Sequence, residues 1–231
     1  MVIKNKRVLI TGGAIRIGKM FVEKLQFLGA EVIVHYNNSK EEAESLSDSV
    51  IQCNLSDSSS FPNLIKEIGP IDILINNASV FNKDNLLNSS PDKVYKEFSV
   101  NFFSPFEIIR QFALQDKEGV ILNILDRRIK ANDISCIPYS ISKKSLAELT
   151  YVTAIQLAPK IRVNAVAPGP ILAPDTMNSK EYIEKSGNIP LIKNPEPDDV
   201  INAGIHLIEN NSVTGQVIYV DGGQHLLGNG I

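Results

Sequence analysis

Tyr139 and Lys143 stand four residues apart in YSISK, a spacing that puts both side chains on one face of a helix near its first turn. A phenol with a free pKa of about 10 titrates nearer neutrality only beside a cation, and Lys143 is placed to be that cation. Thirteen residues before the tyrosine stands Asp126. A phenol and carboxyl together give or take a proton at a substrate atom. An ionised aspartate would repel a developing alkoxide but accepts from N–H groups, so it suits reduction of a C=N bond better than of a ketone.

A second cluster precedes it. TGGAIRIG, residues 11–18, follows a β-branched run and leads into an amphipathic segment. A glycine turn feeding a helix N-terminus sets backbone N–H groups and a partial positive charge against a pyrophosphate, which marks Thr11, Gly12, Arg16, Ile17 and Gly18 as dinucleotide contacts. The next strand ends in HYNNSK, residues 35–40, with no acid before Glu41. An NAD-type site places an acid there for the ribose 2′-hydroxyl. Tyr36, Asn37, Asn38 and Ser39, with Lys40 and the charge of Arg16, offer donors to a 2′-phosphate instead. NADP(H) is therefore the expected cofactor, the alternative being that HYNNSK is only a polar turn.

Both clusters need a scaffold. Strands are predicted at 8–11, 31–36, 49–53, 71–76, 120–125, 162–167 and 217–220. Helices are predicted at 17–28, with Met20, Phe21 and Leu25 inward, and at 40–46, 60–68, 94–114, 139–157 and 199–209. Continuous apolar strands separated by helices imply one doubly wound α/β domain of Rossmann type, 1–231, with a parallel sheet covered on both faces. The proline-rich stretch 168–198, after the carboxyl end of a strand, is a candidate cover over a ligand.

The 231 residues suit a single full-sized core, and a net charge of −3 gives no reason to expect nucleic acid or an anionic membrane as partner. No apolar run reaches the ~18 residues of a membrane span, and the first residues run straight into a strand rather than a signal peptide. Cys53 and Cys136 read as reduced, structural thiols of a cytoplasmic protein. None of the three histidines has a metal-binding spacing.

TGGAIRIG, NNAS at 76–79, VN at 100–101, YSISK at 139–143 and APGPI at 167–171 occur in an order and spacing that resembles the short-chain dehydrogenase/reductases over the whole chain. The resemblance implies a seven-stranded parallel sheet, a homotetramer and a catalytic Asn–Ser–Tyr–Lys set, matched by Asn101, Tyr139 and Lys143. Asp126 fills the serine position. Within the family the chain is similar to pteridine and dihydromonapterin reductases at four places: Arg16 for the middle glycine, Ser79 in Asn-Ala-Ser, Phe81 two residues on, and Asp126.

That likeness implies an NADPH-dependent reduction of a small-molecule pterin. Tyr139 is the expected acid, with Asp126 beside it. Lys143 would lower its pKa and hold the nicotinamide ribose, and Asn101 would hold a water that replenishes protons. Phe81 would stack on the pterin and Arg16 reach its edge. Asn77, Ala78 and Ser79 would line the cofactor, and the backbone at Pro168, Gly169 and Ile171 would orient its carboxamide. Asn54, followed by Leu55, would accept from the adenine amino group. Arg127 and Arg128 depart from the subfamily pattern; they pair with Asp126, or attract an anionic tail at the mouth, or lie solvated. The rivals are a carbonyl reductase acting on a 3-oxoacyl thioester and a non-catalytic NADP(H)-binding sensor.

Overall fold

The apolar runs become strands, the five central ones buried from both sides and the two at the edges, 50–52 and 217–220, only partly covered. They are β1 (Arg7–Ile10), β2 (Glu31–Tyr36), β3 (Val50–Gln52), β4 (Ile73–Asn76), β5 (Gly119–Ile124), β6 (Ile161–Pro168) and β7 (Val217–Val220). All pair in parallel in the order β3-β2-β1-β4-β5-β6-β7. The computed structural model describes residues 1–227 except 174–176, 179–180, 183 and 185. The predicted covering stretch 168–198 therefore lies partly outside the described residues.

The helices are α1 (Arg16–Phe27), α2 (Lys40–Leu46), α3 (Leu64–Ile68), α4 (Pro91–Phe98), α5 (Ser104–Ala113), α6 (Ile137–Gln156) and α7 (Pro197–Glu209). On one face Phe21, Val22 and Leu25 of α1, Ala43 of α2 and five apolar residues of α7 meet the sheet. On the other, α3, α5 and α6 cover it through Leu64, Ile108, Phe112 and Leu146. Each large apolar side chain so buried contributes about 1.5–3 kcal/mol. Phe21 and Leu25 point inward as expected, while Met20 packs only partly buried at the edge of that core. Cys53 and Cys136 are buried free thiols. No described helix is long and apolar enough to cross a membrane.

Two predicted helices differ in form. The span 94–114 is α4 and α5 joined by a wider, π-type turn over Ser99–Phe103. Pro105 has no N–H to give the carbonyl of Asn101, so the regular ladder cannot run through. The span 60–68 shortens to Leu64–Ile68 because Ser59 and Ser60 hydroxyls bond the Asp57 carboxylate instead. Strand order reverses between β1 and β4. The loops leaving their carboxyl ends part there and open a crevice.

Candidate active site

The glycine turn is fixed from three sides. Gly12 sits at φ +60°, and a Cβ on Gly18 would lie 2.1 Å from the Gly12 carbonyl oxygen, so only glycine fits. From the loop after β4, Asn77 Nδ2 donates to the carbonyls of Thr11 (3.0 Å) and Gly12 (2.9 Å). Thr11 Oγ1 in turn accepts from the N–H groups of Asn77 and Ala78. From the end of β2, His35 Nδ1 accepts from Gly12 N–H at 3.0 Å, and its Nε2 donates to the Cys53 carbonyl at 2.9 Å. Burial pulls the His35 pKa down to about 4, so the imidazole is neutral, as this pair of bonds requires. His35 escaped sequence reasoning because it lies within an apolar strand where a histidine gives no motif.

Arg16 occupies the left-handed region at φ +54°, a conformation that costs a non-glycine residue about 1–3 kcal/mol. Its guanidinium crosses the crevice to the carbonyls of Leu172 (2.9 Å) and Ala173 (3.0 Å). It thus ties the glycine turn to the loop after β6.

Tyr139, Asp126, Lys143 and Phe81 converge below this. The phenol Oη donates to Asp126 Oδ2 at 2.9 Å, and the Phe81 ring meets the tyrosine ring edge to face with centroids 4.7 Å apart. The expected lowering of the phenol pKa by Lys143 does not occur. Burial first, then the charge of Asp126 and the hydrogen bond to it, raise Tyr139 well above its ordinary value. Lys143 Nζ donates to the Ile124 carbonyl at 2.8 Å and lies 6.0 Å from the Tyr139 ring centre. Burial brings Lys143 itself down to about 8, against an opposing pull from Asp126.

Arg128 settles one of the open alternatives. Its Nη1 lies 3.2 Å from Asp126 Oδ2, its backbone N–H donates to Oδ1 at 2.8 Å, and its Nε donates to Asp133 Oδ2 at 2.9 Å. The guanidinium carbon is 5.3 Å from the centre of the Phe81 ring. Arg127 is buried beside it.

Asn101 is fully buried with its side chain committed. Oδ1 accepts from Ser79 Oγ (3.1 Å) and Val80 N–H (3.0 Å), and Nδ2 donates to the Val80 carbonyl (2.9 Å) and Ser142 Oγ (3.0 Å). Two acceptor and two donor capacities are thereby used, so this side chain clamps the loop after β4 rather than holding a water. Likewise Asn54 Oδ1 already accepts from the N–H and hydroxyl of Ser56. The expected bond from adenine would have to share it.

These groups line one crevice of about 540 Å³, within the ordinary range for a small-molecule site. It brings together Gly12, Arg16, Ile17, Gly18, Tyr36, Asn37, Asn38, Ser39, Asn54, Leu55, Asn77, Ala78, Ser79, Phe81, Asp126, Tyr139, Lys143, Pro168, Gly169 and Ile171. Thr11 and Asn101 stand behind its wall. Lys96, Leu172 and Tyr182 also line it and were missed, since none belongs to a motif. Among the described lining residues Asp126 is the one carboxylate, set against Arg16, Lys96 and Lys143. The crevice therefore suits an anionic dinucleotide, and the glycine turn gives it an approach without side chains.

A crevice at the point where strand order reverses, with a glycine turn at one end and a tyrosine–lysine pair at the other, defines a nucleotide-dependent oxidoreductase site. The chain belongs to the short-chain dehydrogenase/reductase family: the family model described as enoyl-(acyl carrier protein) reductase matches residues 13–225. The uncharacterized oxidoreductase YhdF of Bacillus subtilis is 30% identical, over 97% of this chain and 85% of its own. The 3-oxoacyl-[acyl-carrier-protein] reductase FabG of Staphylococcus epidermidis is 29% identical, over 96% of this chain and 100% of its own. Among solved structures, FolM alternative dihydrofolate reductase 1 from Brucella canis, complexed with NADP, superposes with a TM-score of 0.91 at 34% identity, covering 97% of this chain and 96% of that one.

Proposed function

We propose that the protein is an NADPH-dependent reductase of a dihydropterin, with dihydromonapterin, dihydrobiopterin and dihydrofolate as the candidate substrates. The observation that carries this is the Tyr139–Asp126 hydrogen bond, in the crevice that Phe81 also lines. The likeness to the FolM structure supports it.

In this reading NADPH, when bound, supplies the hydride that reaches a ring carbon of the pterin. The backbone of the glycine turn holds the pyrophosphate, Asn37, Asn38 and Ser39 meet the 2′-phosphate, and Lys143 meets the nicotinamide ribose. Ala78, Ser79 and the backbone from Pro168 to Ile171 frame the nicotinamide. Phe81 offers a flat face against which the pterin stacks, worth about 0.5–1.5 kcal/mol beyond burial. Tyr139 gives its proton to the ring nitrogen, so that hydride and proton together saturate one C=N bond. Burial and Asp126 keep that phenol protonated at neutral pH. Asp126 accepts from the N–H groups of the ring, or passes the proton on through water.

A second reading, reduction of a 3-oxoacyl thioester, is favoured by the FabG relatives. One experiment separates the two. NADPH absorbance is followed with purified protein and 7,8-dihydromonapterin, with an acetoacetyl thioester in parallel. Oxidation with the pterin alone is expected; oxidation with the thioester alone would overturn the pterin assignment.

A further inference from the structure

We propose that Arg128, anchored by Asp133, is the positioning residue that sets Phe81 and Asp126, and through Asp126 also Tyr139, for reaction. The inference rests on the acid role given above to Tyr139 and extends it to a pair of residues outside the crevice.

Four observations converge. Asp126 Oδ2, the oxygen that accepts the Tyr139 proton donor, is the one nearest Arg128 Nη1, at 3.2 Å. The Arg128 backbone N–H holds the other carboxylate oxygen at 2.8 Å, so the carboxylate is gripped from main chain and side chain by one residue. The guanidinium also faces the Phe81 ring at 5.3 Å, within reach of a cation–π contact. Finally, neither Arg128 nor Asp133 lines the crevice, whereas Asp126, Tyr139 and Phe81 all do. From that place Arg128 bears on residues that line the crevice rather than forming its wall itself.

The anchor is itself built. Asp133 Oδ1 accepts from the N–H (2.9 Å) and hydroxyl (2.6 Å) of Ser135, leaving Oδ2 for Arg128 Nε. Despite the cost of burial, these bonds from Ser135 and the one from Arg128 hold the Asp133 carboxyl far below the usual carboxylate range. A forked guanidinium satisfies two carboxylates at fixed angles, which a lysine ammonium cannot do. Among the groups acting on the Tyr139 phenol, Arg128 is the cation that draws its pKa down against burial and Asp126. That is the part sequence reasoning gave to Lys143.

The test is chemical rescue. In Arg128→Ala the space between Asp126 and Asp133 is open to a free guanidinium ion at low millimolar concentration, far below denaturing levels. We expect kcat with 7,8-dihydromonapterin to fall about 10²-fold, the usual cost of misplacing reacting groups by about 1 Å. Added guanidinium should restore at least a tenth of it, and equimolar sodium or ammonium should not. Arg128→Lys should lie between. The Kd for NADPH, read by its fluorescence, should stay within threefold of wild type in all variants, which also reports that they fold. Turnover of Arg128→Ala within threefold of wild type, or a loss that guanidinium does not relieve while NADPH still binds, overturns the proposal. If wild type turns over only the acetoacetyl thioester, the pterin assignment fails, and rescue is scored on that substrate instead.

Discussion

In the proposed reading, Asp126 decides the chemistry at the scale of a single side chain. A serine there would present a neutral hydroxyl to a carbonyl oxygen; the carboxylate instead takes the Tyr139 proton donor and a guanidinium. Asp126→Ser is expected to lower dihydropterin turnover by about 10²-fold, as loss of a proton-transfer partner does, and to raise thioester turnover. A fall in both, measured by NADPH oxidation, would deny that this residue selects the substrate. His35 gives a second prediction. Its folded pKa, about 4, lies below the 6.5 of a free imidazole, so between these values the unfolded chain carries the extra proton. Stability from this group is complete above pH 6.5 and is lost as pH falls toward 4, by on the order of 3 kcal/mol. Urea midpoints at pH 7 and pH 4.5 should therefore differ more for wild type than for His35→Asn; equal differences would show that His35 does not couple the glycine turn to pH. Lys143 acts at the other limb. It loses its proton as pH rises through about 8, so NADPH affinity should weaken above that pH, and Lys143→Met should bind weakly with no such break.

Among elements, what was legible depended on whether the signal was local. Strands β2 and β7 and helix α2 fall where periodicity put them, because alternation of apolar and turn residues is written in consecutive positions. The glycine turn and the YSISK face were legible for the same reason. The joint between α4 and α5 was not. Apolar spacing runs unbroken from Val94 to Leu114; Pro105 signals a break in the ladder but not its form, and the tertiary clamp shows what keeps the wider turn around Asn101. That clamp makes a prediction of its own. Asn101→Ala removes four bonds from a buried side chain and takes the partner from both backbone groups of Val80. Each such group costs about 1–3 kcal/mol. A loss of several kcal/mol in urea unfolding is expected, with weaker NADPH binding as the Ser79–Val80 loop slackens. An unchanged midpoint with lost turnover would instead restore a direct proton-relay role for Asn101. Arg128 was undecidable from sequence because its partner Asp133 has no fixed spacing to announce it, and the histidine on β2 was hidden for want of any motif.

At the scale of the molecule, helices α4, α5 and α6 carry apolar side chains that the single chain leaves uncovered. Tyr95 is 72% exposed, Ile155 80% and Val152 54%, with Phe106 and Ile141 about half exposed. Their helices pack side by side, α4 on α6 and both on the turn that joins α4 to α5, so these residues belong to one flank of the domain. Exposed apolar clusters of this kind commonly mark association between chains. An isologous contact would lay the flank against its own copy about a two-fold axis. The site depends on that flank, since Tyr139, Lys143 and Asn101 lie on α6 and the adjoining turn. One such contact closes a dimer, and the homotetramer that the family resemblance implies needs a second two-fold contact; the expected outcome of light scattering is four times the 25.4 kDa chain. The double variant Ile155→Asp, Phe106→Asp should release smaller species. If those species also lose turnover while keeping NADPH affinity, association is what holds α6 in register with Asp126. A wild-type mass of one chain would remove the assembly, and full activity in the released monomer would remove its link to catalysis.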